Sequence, residues 1–385
     1  MNTNWWRSLS ELNQDQRDFI LLPSHGKHLL EGPPGSGKTN LLLLRAEFTA
    51  GQGNKNVLVI TFTRSLTNFI RSGIGGKKLI SADQVKTYHS WALDHIYQHL
   101  GKQTIPKNSK FDNSTRAAIL KELKAANQNL PAPKIYDAIF VDEAQDFTLA
   151  ELEALLCLSD NICICGDNRQ GIYNKNGLSI AETFGLHKHT LKQHFRIGQR
   201  IARVADRLLP PEAGCESLEA TSNYNPKTQG DSSAKLHPCE NRDTQFELML
   251  SFIRIQLDAF KDDSIGILCG TRETRKELDQ RLKATDLAHL VCTHGIDGNS
   301  DFTNRTIHIL TIYGAKGTEF RAVHMYGTEE LNEGALRRTK LSYTAVTRAK
   351  TALNSYKTGD TTKALESAFS EPTLFDLADL FEDAK

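Results

Sequence analysis

The sequence predicts an α/β fold of two lobes, each built around a parallel sheet. Short apolar runs rich in β-branched residues alternate with amphipathic segments of helical length along most of the 385 residues. Strands that alternate with helices in this way usually form βαβ units, which bury the strands side by side in one parallel sheet. A chain of this length also has room for roughly two to three domains.

Strand-like runs, each followed by a turn signal, mark both lobes. In the first part of the chain they are KHLLEG, NVLVITFT, YDAIFVDEA and NICICGDN, with helical segments such as LLLLRAEFTA and LAELEALLCL between them. The pattern pauses at about residues 210–235, where Pro, Gly, Ser and Asn are frequent, and resumes with SIGILCG, TIHILTIYG and AVHMYG. We interpret the pause as a loop within the second lobe.

The join between the lobes is predicted near residues 180–190. We therefore expect a first lobe at residues 1–187, with a small helical insertion at about 92–131, and a second lobe at residues 188–370. Residues 371–385 form an acidic tail with Leu and Phe at helical spacing, which suits either a packed terminal helix or a partner-docking segment.

Composition narrows the class of protein. The formal net charge is +1, so a nucleic-acid groove would have to be a local basic strip. The seven cysteines show no CxxC spacing and no histidine in a metal-ligand pattern, and several lie in apolar runs. We interpret them as reduced core thiols and not as a zinc site. No signal core or membrane-length apolar stretch is found, which predicts a cytoplasmic protein without a membrane partner.

Residues 32–39, GPPGSGKT, match the phosphate-binding pattern GxxxxGK[ST] between an apolar strand and a helix. Glycines let the backbone N–H groups wrap around phosphates at the positive end of a helix. Lys38 is then expected to reach the β- and γ-phosphates, while the hydroxyl of Thr39 binds Mg²⁺. The other nucleotide-binding residues predicted in this loop are Gly35, Ser36 and Gly37.

Two carboxylates follow the apolar strand AIFV. Asp142 is predicted to bind Mg²⁺, and Glu143 to orient and deprotonate the water that attacks the γ-phosphate. Downstream of a phosphate-binding loop, this pair indicates an ATPase whose cofactors are ATP and Mg²⁺.

Eight segments in a fixed order resemble the UvrD/Rep-like branch of the superfamily 1 helicases, over nearly the whole chain. In chain order they are LNQDQ, VITFTRSLTNFI, VKTYHSWA, VDEAQD, CGDNRQGIY, LKQHFRIGQRI, TIYGAKGTEF and RRTKLSYTAVTRAK. The resemblance implies a P-loop NTPase of two RecA-like lobes, with the ATP site in the cleft between them.

The resemblance also implies roles at the nucleotide. Gln16 would read adenine and Phe195 would stack on it, while Glu319 would lie at the nucleotide within TIYGAKGTEF.

Three further residues are implied to act on the γ-phosphate. Gln170 would sense it, and Arg196 and Arg348 would reach it across the cleft as arginine fingers. Hydrolysis would then require the lobes to close.

The strand-contacting segments depart from the family. Lys175 occupies the place of a usual aromatic residue, whose stacking on a base is worth about 1–3 kcal/mol. Tyr313 replaces a usual histidine. For Phe62 and Tyr88, packing in the protein core is the alternative to contact with nucleic acid. The residues expected to contact nucleic acid are Phe62, Thr63, Arg64, Tyr88, His89, Lys175 and Tyr313.

The two large insertions that engage duplex DNA in this branch look reduced. The stretch between TYHSWA and FVDEAQD carries only one helical segment, NSTRAAILKELKAANQ. In the second lobe, a short stretch separates HLVCTHG from TIHILTIYGAKG. We therefore expect a minimal two-lobed motor.

Two functions fit this sequence. The first is an ATP-dependent single-stranded DNA translocase or helicase of low processivity. The family resemblance implies 3′-to-5′ polarity, and the sequence does not decide whether RNA is also accepted. The alternative is an ATPase subunit that regulates a partner, such as a nuclease, in a DNA repair or antiviral defence complex. A passive binding module conflicts with the complete set of residues at the nucleotide site.

Overall fold

The computed structural model describes residues 9–73, 79–102, 113–173, 175–261, 263–296 and 305–370. The predicted acidic tail at residues 371–385 lies outside the described residues. Within them, twelve strands form two six-stranded sheets in which every pair of neighbours is parallel. The α/β prediction is confirmed.

The first sheet has the strand order β3-β2-β4-β5-β1-β6. Its strands are β1 Lys27–Glu31, β2 Val57–Thr61, β3 Val85–Thr87, β4 Ala138–Val141, β5 Ile162–Gly166 and β6 His187–Thr190. Its helices are α1 Gln14–Ile20, α2 Lys38–Gly51, α3 Arg64–Gly73, α4 Tyr88–Leu100, α5 Asn113–Gln128, α6 Leu149–Leu156 and α7 Ile180–Phe184. The continuous apolar runs of β2 and β5 are buried at every position, as expected of strands covered on both faces.

The first sheet extends beyond the boundary predicted after residue 187. Strand β6 pairs in parallel with β1, and the N–H of Leu191 donates to the carbonyl of Glu31. This strand lacks the apolar pattern that would predict it, because HKHT is polar and largely exposed at the sheet edge.

The helical segment predicted as an insertion at about 92–131 belongs to the core of the first lobe. Helices α4 and α5 pack on each other, and seven of their side chains lie in the same buried cluster as strands β2, β4 and β5. These side chains are Tyr88, Trp91, Ala92, Ile96, Ile119, Leu123 and Ala126.

The second sheet has the strand order β7-β12-β11-β8-β10-β9. Its strands are β7 Ser233–Pro238, β8 Ile265–Cys269, β9 Val291–Thr293, β10 Ile307–Thr311, β11 Phe320–Met325 and β12 Ala349–Lys357. Its helices are α8 Gln199–Leu208, α9 Pro226–Gln229, α10 Arg242–Ala259, α11 Arg272–Lys283, α12 Thr339–Val346 and α13 Lys363–Phe369. The predicted loop at about 210–235 lies between α8 and β7, within this lobe.

The connection between β9 and β10 spans only residues 294–306. Among the described residues, no helix is both long and apolar enough to cross a membrane.

Candidate active site

The phosphate-binding loop joins the end of β1 to the start of α2. Gly35 and Gly37 have φ angles of 79° and 89°, a left-handed conformation that glycine adopts without a Cβ penalty. The ammonium of Lys38 donates to the carbonyls of Gly32 at 2.7 Å and Pro33 at 3.0 Å. The loop therefore has a left-handed backbone at two glycines, with the lysine folded against it.

Thr39 and Asp142 meet at the carboxyl ends of β1 and β4. The hydroxyl of Thr39 donates to Asp142 Oδ2 at 2.7 Å, while Oδ1 accepts from the thiol of Cys165 and from the N–H of Glu143, both at 2.9 Å. Burial and the neighbouring charge of Glu143 raise the pKa of Asp142 to about 6. A hydroxyl and a carboxylate at this spacing are the hard oxygen donors that suit Mg²⁺.

Glu143 has a strained backbone. Its φ of 55° makes it the one non-glycine residue with positive φ among those that the structure describes. Burial alone would raise the pKa of Glu143, but the nearby cations Lys316, Arg348 and Lys38 outweigh it and lower the pKa. Glu143 is therefore an anion at neutral pH, as a group that activates water must be.

Lys316, in the second lobe, is a cation that contacts carboxylates of the first lobe. Its ammonium is fully buried and lies 2.5 Å from Asp146 Oδ2, 3.5 Å from Glu143 Oε2 and 2.7 Å from the carbonyl of Gln170. Burial raises the pKa of Asp146 to about 7 despite this ion pair. Lys316 lies in the segment TIYGAKGTEF, where the sequence pattern alone did not indicate it as a site residue.

Arg348 also crosses from the second lobe to the first. Its guanidinium donates to Gln170 Oε1 at 2.5 Å and to the carbonyl of Thr318 at 3.1 Å. Burial and the charge of Arg196 lower the pKa of Arg348 to about 10, so it stays positive at neutral pH. The amide of Gln170 in turn donates to Asp167 Oδ2 at 3.0 Å.

Arg196 and Lys350 both bind the carboxylate of Glu319. The Arg196 Nη1 lies 2.5 Å from Glu319 Oε2, and the Lys350 Nζ lies 2.6 Å from Oε1. Burial would raise the pKa of Glu319, but these two cations lower it to about 2. Glu319 thus fixes the position of the arginine that is predicted to reach the phosphate.

A cleft of about 420 Å³ between the lobes is lined by most, but not all, of these groups. Gln16 contributes to its wall, and its amide donates to the carbonyl of Ser36 at 3.0 Å while its oxygen accepts from the N–H of Asn13. Phe195 lines the same cleft, and its N–H donates to the carbonyl of Gly35 at 3.2 Å. Of the residues predicted at the nucleotide, those that line this cleft are Gln16, Gly35, Ser36, Gly37, Lys38, Thr39, Glu143, Gln170, Phe195, Arg196, Glu319 and Arg348.

A row of aromatic rings lies beside the cleft and joins the lobes. Phe62 is 4.8 Å from Tyr173 between ring centroids, and Tyr173 is 5.7 Å from Tyr313 of the second lobe. His89 extends the row on the other side of Phe62, at 6.1 Å. We call Phe62, His89, Tyr173 and Tyr313 the aromatic row. Tyr173 was missed because GDNRQGIY was considered only for its glutamine.

The prediction that Tyr88 contacts nucleic acid is not supported by its position. Its side chain is 1 % exposed and packs against Phe147 and Trp91, with centroid distances of 5.4 and 5.8 Å. As the first residue of α4, it turns into the core of the lobe, so its ring offers no face to a base.

The other residues that are predicted to contact nucleic acid lie near the protein surface. Arg64 is exposed at the start of α3, while Thr63 and Lys175 are half-buried. The hydroxyl of Thr63 donates to the carbonyl of Lys316 across the lobe interface at 3.4 Å.

Arg116 of α5 is a further cation at the aromatic row that the sequence did not indicate. Its guanidinium lies 5.4 Å from the ring centroid of Phe62, and its Nε donates to Glu151 at 2.9 Å. Burial, with the charge of Arg116, lowers the pKa of His89 to about 4, so His89 is neutral at pH 7.

Two parallel α/β lobes, a phosphate-binding loop and cations that cross the cleft define a P-loop NTPase with two RecA-like lobes. Comparison with known proteins supports the family resemblance. Residues 20–176 match a family model described as an AAA domain, and residues 306–354 match the UvrD-like helicase C-terminal domain. These two matches support the similarity to the UvrD/Rep-like superfamily 1 helicases that the sequence motifs indicated.

Curated relatives match parts of the chain. F-box DNA helicase 1 of Gallus gallus is 37 % identical over 89 residues, which are 23 % of this chain and 9 % of that protein. A probable DNA helicase of Mycoplasma pneumoniae is 27 % identical over 239 residues, or 55 % of this chain and 42 % of that protein. The chain therefore spans less than half the length of either relative.

Among solved structures, the helicase of PRRSV is 14 % identical, with a TM-score of 0.39 over 89 % of this chain and 54 % of that one.

Proposed function

We propose that this chain is an ATP-dependent translocase or helicase that moves along single-stranded DNA. The observation that carries the proposal is the pair of cations from the second lobe, Lys316 and Arg348, which contact Glu143 and Gln170 of the first lobe. Such contacts exist only while the lobes are together, so hydrolysis and lobe closure are linked.

Each residue has a task in this scheme. The loop at residues 32–39 and Lys38 would hold the phosphates of ATP, and Thr39 and Asp142 would hold Mg²⁺, which neutralises charge on the phosphates when bound. Glu143 would accept a proton from the attacking water. Arg196 and Arg348 would stabilise the charge that develops on the transferred phosphoryl group.

Movement would follow from the segment TIYGAKGTEF. It carries Tyr313 in the aromatic row and Lys316 beside Glu143 of the first lobe, three residues apart. Opening and closing of the cleft would therefore change the grip of the second lobe on a strand relative to the first. We assign 3′-to-5′ polarity and low processivity by the family resemblance and the short β9–β10 connection.

The setting of the protein is part of the proposal. None of the seven cysteines is paired in a disulfide, which fits a reducing compartment such as the cytoplasm. A protein partner, for example a nuclease, would compensate for the reduced insertions. Lys175 lacks a ring for stacking, which favours the alternative of a regulatory ATPase subunit.

The test is phosphate release from ATP and Mg²⁺, with and without a single-stranded DNA oligonucleotide. We expect strong stimulation by the strand, loss of activity in Lys38→Ala, and a loss of about 10³-fold or more in Arg348→Ala. Lys350→Arg is a matched control that keeps the charge beside Glu319. A low rate that ignores the strand would overturn the motor and favour the regulatory subunit, and no phosphate release under any condition would overturn both.

A further inference from the structure

Three side chains with metal-ligand chemistry converge at the edge of the second sheet. Cys292 of β9 and His308 of β10 are register partners in the parallel ladder. His294 follows β9 directly, and its N–H donates to the carbonyl of Ile309 at 3.0 Å, so the extended pairing continues past the strand end. Alternate residues of a strand share a face, as do register partners. All three side chains therefore project from the same face.

The candidate ligand atoms lie close enough together to share one metal ion. The Cys292 sulfur and one ring nitrogen from each histidine all lie within 4.8 Å of one another. His294 Nε2 and His308 Nδ1 are 3.0 Å apart. Two nitrogen ligands of a tetrahedral zinc ion with Zn–N bonds of about 2.0–2.1 Å lie about 3.3 Å apart, so rings need to separate by only a few tenths of an ångström.

The cluster is buried, and the ring of Phe320 covers it on one side. Exposed fractions are 3 % for Cys292, 5 % for His294 and 0 % for His308. The ring of Phe320 lies 5.8 Å from the ring of His308, and it occupies the space over Gly266, where a Cβ would lie 2.4 Å from it. Such a wall limits the access of water that would compete for an ion.

We propose that Cys292, His294 and His308 bind a zinc ion that clamps β9 to β10. A thiolate with two imidazoles suits zinc, whereas Mg²⁺ and Ca²⁺ prefer oxygen. On binding, a Zn–S bond replaces the S–H bond and the thiol proton leaves to solvent. The proton between the two imidazoles moves to the other nitrogen of its ring, so that both facing nitrogens bind the metal. The fourth tetrahedral position is left for a further donor.

The competing explanation is a hydrogen-bonded histidine pair that merely packs beside a thiol. A zinc ion would do more, since β10 leads directly into the segment that carries Tyr313 and Lys316. The ion would fix the base of that segment within the second lobe. The zinc proposal is independent of the proposed function, since none of the three ligand residues lines the nucleotide cleft.

The experiment uses the full chain, stripped with a chelator, dialysed and loaded with Zn²⁺ or Co²⁺. We expect about one equivalent of zinc to remain bound through gel filtration, and a thiolate-to-cobalt charge-transfer band with Co²⁺. Cys292→Ser and His308→Asn should lose the zinc and the rise in melting temperature that it causes. Cys269→Ser is the matched control, a buried thiol of β8 in the same sheet, and should keep both.

Binding of a fluorescent ATP analogue and circular dichroism report whether each variant is folded. Zinc retained by folded Cys292→Ser and His308→Asn would overturn the proposal, as would wild-type protein without stoichiometric zinc. If the variants fail to fold, X-ray absorption of the zinc-loaded wild-type protein decides, since a first shell without sulfur would equally overturn it. Zinc binding without ATPase activity would leave this inference standing and reject only the proposed function.

Discussion

At the scale of single residues, the nucleotide site depends on charges that are stable only together. Lys316 is fully buried, and its ammonium would be very unfavourable there without the carboxylates of Asp146 and Glu143. The partners come from different lobes, so each lobe alone would expose an unmatched charge. The ion pair is therefore a reason for the lobes to meet in one arrangement.

Lys316→Met should destabilise the protein because it leaves Asp146 buried beside Glu143 without its cation. We expect a loss of about 3 kcal/mol in the free energy of unfolding, reduced to the extent that Asp146 takes up a proton. Adding Asp146→Asn should restore most of the stability but not phosphate release, since Glu143 still lacks its cation. Urea denaturation and phosphate release measure the two effects. Normal phosphate release in the double variant would mean that Lys316 only neutralises Asp146.

Glu319 predicts a pH dependence of stability. Its pKa in the folded protein is about 2, below the ordinary value of 4.5, so it contributes stability that is present above pH 4.5 and lost as pH falls towards 2. Glu319→Gln should therefore cost up to about 3 kcal/mol at pH 7, and the difference from wild type should shrink between pH 5 and pH 3. Urea denaturation across this range measures it, and a pH-independent difference would contradict the assignment.

At the scale of elements, the aromatic row shows how loops after strands form one surface. Phe62 follows β2, Tyr173 follows β5 and Tyr313 follows β10, so the carboxyl ends of strands in both sheets supply the rings. Arg116 of α5 lies over Phe62, with its guanidinium paired to Glu151. Rings next to cations are the groups that bind single strands without sequence preference.

Tyr173→Ala should weaken binding to a single-stranded oligonucleotide while basal ATP hydrolysis changes little. A stacked base is worth about 1–3 kcal/mol, so the dissociation constant should rise about 5- to 150-fold. Fluorescence anisotropy of a labelled thymidine oligonucleotide measures it. Tyr88→Phe is the matched control, because the ring of Tyr88 lies in the core. Equal effects of the two substitutions would mean that the row is a packing feature.

The sequence was sufficient to predict site residues where the residues that act together are neighbours in the chain. The loop at residues 32–39 and the end of β4 each carry their function within a few neighbouring residues, so Lys38, Thr39 and Asp142 could be selected and then found together. The fold class could also be predicted from the sequence, because strand-like and helical segments alternate along the whole chain.

Other features could not be predicted from the sequence, because they depend on contacts between residues that lie far apart along the chain. Tyr88 lies at a helix start, where the pattern did not decide between core and surface. Strand β6 is polar, and its membership of the first sheet depends on pairing with β1. Cys292 and His294 are separated by one residue, but only the register of β9 with β10 brings His308 to them.

At the scale of the whole molecule, close approach of the lobes requires a glycine. Gly317 has a φ of 79°, and a Cβ there would lie 2.7 Å from Leu66 Cδ2 of the first lobe. It sits directly after Lys316, so any side chain would push apart the surfaces that carry the inter-lobe ion pairs. Closure thus depends on backbone contact as well as on charge.

Gly317→Ala should lower kcat for phosphate release by up to about 100-fold, because small misplacements of reacting groups have effects of that size. Gly359→Ala is the matched control, since its φ of 72° imposes similar strain while a Cβ there would meet nothing within 4 Å. Both variants should lose about 1–2 kcal/mol of stability from the left-handed backbone, measured by urea denaturation. Only Gly317→Ala should lose activity, because only that methyl group lies between the lobes. If both variants hydrolyse ATP equally well, the catalytic arrangement does not require the contact between Gly317 and Leu66, and closure is governed by the ion pairs of Lys316 and the hydrogen bond from Arg348 to Gln170.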